Sequence, residues 1–246
     1  MAFAPELLYP AAVVALGYFV LGVTGFGSSL MVVPLLSWKW PLQEVVPLAL
    51  LLDVPAAVLQ GLLNRRQVEL TEVGRFVPPM ILGSLAGMWL AGALEPQWPL
   101  LGLGLFVAAA GLGALRMAKQ GAPQAHPKWR AVVGFSTGLV EVMFGTAGPL
   151  VLAWLQRRLT SVYAVRATTP VTIVLAALIA LTVMAFNRTL SDSHMWGRWM
   201  LFLPLAGLAV LAGNRVARHL PAGLLRQLIC ALLVLSGVAL AWQALH

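Results

Sequence analysis

Gly22-Val23-Thr24-Gly25-Phe26-Gly27-Ser28-Ser29-Leu30-Met31-Val32-Val33-Pro34 lies inside an apolar run, from Leu7 to Trp38, that carries no charge. An unbroken helix over that run would satisfy its own backbone and could cross a bilayer. Three glycines and three hydroxyl residues between Gly22 and Ser29 argue against continuity. A break in hydrocarbon leaves N–H and C=O groups unpaired, at several kcal/mol each, unless protein or a polar cavity covers it. The helix that restarts near Ser28 would point free N–H groups and its positive dipole end at that cavity, a setting suited to an anion. The stretch therefore predicts a membrane transporter for a small anion.

Composition agrees. Of 246 residues 60% are hydrophobic and 10% charged, with mean hydropathy +0.88. A soluble domain is closer to a quarter charged, so the expected class is an all-α, polytopic membrane protein. Met1 to Pro10 hold no basic region, and no signal peptide is expected. The net charge of +8 is spread between apolar segments rather than gathered in a patch. That pattern fits orientation in a bilayer, not nucleic-acid binding. The single cysteine, Cys230, rules out an internal disulfide and reads as a buried inert thiol.

Five apolar segments are expected in residues 1–115: Ala4 to Gly22, Ser28 to Ser37, Val45 to Leu63, Phe76 to Leu94 and Leu100 to Leu115. A polar stretch, 116–130, reads as a linker. Residues 131–246 repeat the layout. Gly134 to Phe144 precedes Phe144-Gly145-Thr146-Ala147-Gly148-Pro149, a short segment to Leu155 follows, and then come Val162 to Phe186, Trp199 to Val216 and Leu224 to Trp242. The halves align by layout more than by residue identity, with Gly27 on Gly145, Pro55 on Pro170 and Asn64-Arg65 on Asn187-Arg188. The predicted fold has eight to ten membrane-embedded helical segments in two repeats, each broken or re-entrant at its first glycine motif.

Charge assigns the sides. If each half crosses an odd number of times, loops 64–75, 116–130, 157–158 and 215–218 share one face. They hold eleven basic residues, Arg65, Arg66, Arg75, Arg116, Lys119, Lys128, Arg130, Arg157, Arg158, Arg215 and Arg218. The other face holds three, Lys39, Arg188 and Arg198. The positive-inside rule makes the first face cytoplasmic and leaves both termini outside the plasma or inner membrane. An odd count also makes the halves inverted copies, the arrangement of alternating-access carriers with substrate near the midplane.

The stretch from Gly22 to Leu36, its weaker echo near Gly145, the duplicated layout and the length together resemble the sulfite exporter TauE/SafE family, also called the toluene-sulfonate uptake permease family. The resemblance covers essentially the whole chain, and the first glycine motif is its most specific part. It implies movement of sulfite, sulfonates or related sulfur-containing organic anions, coupled to an ion gradient. The second motif departs from the family's usual richer glycine run.

Several residues have two readings. The cluster Gly22, Thr24, Gly25, Phe26, Gly27, Ser28 and Ser29 could be close helix packing, but its hydroxyls favour a substrate-binding loop, with Gly145, Thr146 and Gly148 as partner. Gly83/Gly87 and Gly134/Gly138, spaced by four, read as packing and allow a homodimer. Arg166 either snorkels to the interface or faces an anionic substrate. Thr168 and Thr169 precede Pro170, where local unwinding would put their hydroxyls in the same cavity. Asp53 and Glu141 lie deep in apolar segments, where a carboxylate costs at least ~2.5–3.5 kcal/mol. Asp53 could cap a restarted helix and Glu141 could pair with Arg166; otherwise either could carry a coupling proton. His126, His194, His219 and His246 show no metal-ligand spacing, and no catalytic constellation or phosphate loop appears. The expectation is a secondary transporter that is not an enzyme, with no cofactor or metal, a small anion as substrate and H+ as coupling ion. An anion channel and a non-transporting assembly factor are the alternatives.

Overall fold

A computed structural model describes residues 5–91, 128–186 and 193–245, with isolated positions between 101 and 126. The expected fifth segment, most of the linker and residues 187–192 lie outside the described residues. The described chain is helical, without strands. α1 (Pro5–Thr24), α2 (Ser28–Leu36) and α3 (Leu42–Leu63) lead through a 3-10 turn at Arg65–Gln67 to α4 (Leu70–Gly74) and α5 (Val77–Ala91). α6 (Trp129–Phe144), α7 (Gly148–Arg158), α8 (Val162–Phe186), α9 (Ser193–His219) and α10 (Ala222–Leu245) follow. Leu7–Thr24, Gln43–Leu63, Val162–Phe186 and His194–His219 are long and apolar enough to cross a bilayer, and Val77–Leu90 is a shorter apolar helix. Leu16, Trp89, Phe186 and Leu208 stand exposed on the outside, as side chains that face lipid do.

Both expected interruptions are present. α1 stops at Thr24 and α2 starts at Ser28, with Gly25 at φ 86° and Gly27 at φ 98°. α6 stops at Phe144, and Gly145 at φ 63° turns the chain into α7. Left-handed backbone of this kind is open to glycine and costly for other residues.

Two breaks that the sequence allowed at prolines do not occur. α3 runs through Asp53-Val54-Pro55, and α8 runs through Thr168-Thr169-Pro170, without unwinding. A proline removes only the bond to the carbonyl four residues back, and the remaining ladder carries the helix on. The Leu51 carbonyl, freed by Pro55, accepts the Trp199 indole N–H at 2.9 Å. The Arg166 carbonyl, freed by Pro170, lies against Gly25. Asp53 therefore sits mid-helix and caps nothing. Residues 193–198, expected in a loop, form the first turn and a half of α9.

The halves pack crosswise. α5 lies on α6, α9 lies on α1, and α3 lies on α8. Glycines set the first two contacts. A side chain at Gly83 would strike the Phe135 carbonyl, and one at Gly138 would strike that of Met80. Gly22 and Gly213 give α1 and α9 the same closeness. The pairs read as packing motifs thus face each other within one chain, so they are no surface for a second copy.

Charged residues gather at two ends. Glu72 on α4 takes Arg130 at 3.2 Å and Arg158 at 3.1 Å, joining three of the arginine-rich stretches. Elsewhere, Arg198 at the start of α9 pairs with Glu44 of α3 at 2.6 Å and stacks 4.2 Å over Trp40. Three basic residues that charge counting assigns to one face, Arg75, Arg130 and Arg158, thus meet at a single carboxylate.

Candidate functional site

The two interruptions meet. A methyl placed on Gly148, the first residue of α7, would lie 3.6 Å from Cβ of Phe26 in the first break. Phe26 is fully buried, and Ser28, Ser29, Asp53, Glu141, Thr146 and Arg166 are buried as well. Gly25 rests on the Arg166 backbone, so a side chain there would strike the carbonyl that Pro170 frees.

In the first break, Thr24 serves the backbone. Its hydroxyl lies 2.8 Å from the Val20 and Phe26 carbonyl oxygens and accepts the Phe26 N–H at 3.4 Å. Ser28 and Ser29, the first two residues of α2, both donate to Asp53, to Oδ1 and Oδ2 at 2.7 Å each. Tyr18 flanks the same carboxyl, with its hydroxyl 3.3 Å from the Ala49 carbonyl. A carboxyl group of the protein thus occupies the N-terminal end of α2, where an anion is favoured.

The second break repeats the device. Glu141, in the last turn of α6, turns Oε2 to the Ala147 N–H at 2.7 Å, just ahead of α7. Its Oε1 has no hydrogen-bond partner, and neither does the Thr146 hydroxyl; both atoms are buried. Unpaired buried polar atoms cost about 1–3 kcal/mol each, so they mark a place where something polar is accommodated. The pairing of Glu141 with Arg166 does not occur.

Arg166 lies behind the first break. Its Nε–H goes to the Val23 carbonyl at 2.7 Å. Nη2 donates to the Gly22 carbonyl at 2.6 Å and to Asn214 Oδ1 at 2.7 Å, and Nη1 to Asn64 Oδ1 at 3.3 Å. The guanidinium caps the last carbonyls of α1, orphaned where the helix stops. Among the described residues no carboxylate lies within ion-pair distance of it. Thr168 and Thr169 are buried near by, yet their hydroxyls are engaged. Thr168 accepts the Glu69 N–H at 3.1 Å, and Thr169 donates to the Val165 carbonyl at 2.7 Å.

Sequence reasoning missed the residues that steady Arg166. Gln60 donates to the Gly22 carbonyl at 3.1 Å, and Asn64 and Asn214 join through a 3.3 Å hydrogen bond. A signal existed: Asp53, Gln60 and Asn64, spaced by seven and four, share one face of α3. Beyond Arg166 opens a cleft of about 440 Å³, lined by Arg65, Arg66, Arg218 and Tyr163 among others.

Comparison with known proteins fits this geometry. The family model described as Sulfite exporter TauE/SafE matches residues 9–240. The chain is 45% identical, over 194 residues, to a protein of Comamonas testosteroni called "Probable inner membrane transporter protein TsaS". That alignment covers 78% of this chain and 81% of the relative. No solved structure matches. An apolar helical chain, broken twice at a shared buried centre and matched from residue 9 to residue 240, is a multi-pass membrane transporter that belongs to the sulfite exporter TauE/SafE family.

Proposed function

We propose that the protein is a secondary transporter of a small sulfur-containing anion, sulfite or an organosulfonate, working by alternating access coupled to protons. One observation carries the reading: Asp53 and Glu141 stand at the N-terminal ends of α2 and α7, where substrate anions would bind. A carboxylate there competes with substrate for the same donors. Protonation of the carboxyl removes the competing charge. It leaves the Ser28, Ser29 and Thr146 hydroxyls and the Ala147 N–H for a sulfonyl or sulfite oxygen. The proton and the anion then move together, which couples flux to the proton gradient. The glycines of both breaks let backbone approach the anion, with Phe26 packed between them. Arg166, which has no carboxylate partner among the described residues, supplies positive potential from behind.

The crosswise packing of α5 on α6 and α9 on α1 supports inverted halves, 1–115 and 131–246, joined by a cytoplasmic linker at 116–130. The gathering of arginines around Glu72 and the cleft supports a cytoplasmic arginine-rich face and outer termini. The sulfur chemistry rests on the name of the matching family.

Reconstituted vesicles test the whole reading. Sulfite, thiosulfate, sulfonates, carboxylates and sulfate are offered under an imposed pH gradient. Saturable flux that accumulates a sulfur anion against its own gradient is expected. Passive, non-accumulating flux would instead mean a pore, and no flux a protein without translocation. Glu141→Gln should retain anion exchange and lose most of the pH dependence. Unchanged pH dependence would remove Glu141 from coupling.

A further inference from the structure

The cleft beyond Arg166 has a chemistry of its own. Arg65 and Arg66 of the 3-10 turn, Arg218 at the end of α9 and Arg166 of α8 converge on about 440 Å³ of open space. Among the described residues none of the four has a carboxylate within ion-pair distance. Elsewhere on this face Arg75, Arg130 and Arg158 share the Glu72 carboxylate. Like charges left together without a counter-ion repel, and a bound anion relieves that repulsion. Arg166 sharpens the point, because it is 96% buried, being 4% exposed. Its four hydrogen bonds engage Nε, both Nη2 hydrogens and one Nη1 hydrogen. One Nη1 hydrogen remains, on a residue that lines the cleft. The walls are also partly apolar, with Leu62, Leu63 and Ala217 beside Tyr163. A cleft of this size is in the range that holds small ligands.

We propose that this cleft is a second anion site, separate from the centre where the helices break. It takes the oxyanion head of an organic anion on Arg65, Arg66 and Arg218, with the apolar body against Leu62, Leu63 and Tyr163. The ligand class is a sulfonate or a similar oxyanion. Given the transport reading and its sidedness, on which this role rests, the cleft is the loading vestibule of the cytoplasmic face. It also communicates with the centre: the guanidinium that floors the cleft holds the Gly22 and Val23 carbonyls at the end of α1. An anionic lipid headgroup shares the oxyanion chemistry and is the competing source.

The test uses the full chain with Arg65→Ala/Arg66→Ala and Arg218→Ala, all at exposed positions where folding is not at stake. Benzenesulfonate and sulfite are offered to vesicles of each orientation. The expected result is a KM about tenfold higher or more when the anion enters from the arginine-rich face, the worth of one charge-assisted hydrogen bond. KM from the opposite face should hold within about twofold. Arg218→Lys should recover part of the loss. An unchanged KM from both faces, or an equal rise from both, overturns the proposal. Native mass spectrometry separates the lipid: variants that shed a bound anionic lipid while KM is unchanged mark a headgroup site and also overturn it. If the wild type carries no anion at all, the transport reading has failed and the cleft is judged by binding. Benzenesulfonate should then raise the thermal stability of purified wild type and not of the arginine variants; equal shifts overturn the site.

Discussion

Gly25 was legible as a special residue and illegible in its reason. A glycine cluster in an apolar run announces a break, and a positive φ at Gly25 agrees. What demands glycine is the Arg166 carbonyl, released by a proline in the other half of the chain and lying where a side chain would go. No local pattern links positions so far apart. Gly25→Ala should cost at least about 1–3 kcal/mol from backbone strain alone, with the collision added. The measurement is thermal unfolding in detergent, with Gly74→Ala as comparison, since nothing lies near Gly74. Equal stability of the two variants would refute the assignment. Ser28 and Ser29 were read as substrate donors, and they donate to Asp53. Their chemistry was legible, while the partner on α3 had to be seen.

Among the elements, the helices that end at glycine motifs follow the sequence closely, because a left-handed residue cannot continue a right-handed helix. The error lay at prolines. α8 was given room to open at Thr168-Thr169-Pro170, and it continues, because the proline removes only the one bond to the Arg166 carbonyl. The hydroxyls of Thr169 and Thr172 turn back to the carbonyls of Val165 and Thr168 rather than into a cavity. The spacing Gly-x-x-x-Gly correctly marks α5 and α6 as close-packing surfaces, yet spacing alone does not name the partner. Each turned out to be the other's. Gly138→Leu should therefore force α6 away from the Met80 carbonyl and cost about 1–3 kcal/mol or more through overpacking. A lowered melting temperature, with the subunit count by size-exclusion chromatography unchanged, is the expected result. Loss of a dimer at unaltered monomer stability would contradict it.

Across the whole molecule, counting charges proposes a division of basic residues between two faces, but it says nothing of how they cluster. Arg130 and Arg158 are separated in sequence by an interrupted helix pair, and only the fold brings them both to Glu72. Burial alone would raise the Glu72 carboxyl. The hydrogen bond from Arg158 and the charges of Arg130 and Arg158 outweigh it and hold the group below its usual range. A depressed carboxyl stabilises the fold above its ordinary pKa, near 4.3. That contribution fades as pH drops through the lower folded value. Glu72→Gln should cost about 1–3 kcal/mol at neutral pH, and the deficit relative to wild type should shrink under acid. Thermal melts across pH 3 to 7 measure this; a deficit independent of pH would show that charge is not what Glu72 contributes.

The crosswise arrangement also bears on synthesis. A ribosome releases α1 into the bilayer long before Arg166 and Asn214 exist, and those two residues hold the severed end of α1. During that interval Gln60 of α3 can serve the Gly22 carbonyl, while the Val23 carbonyl has only water, lipid headgroups or a membrane chaperone to turn to. A truncated translation product is then a ready target for membrane proteases, while the two halves made as separate polypeptides in one cell can rescue each other.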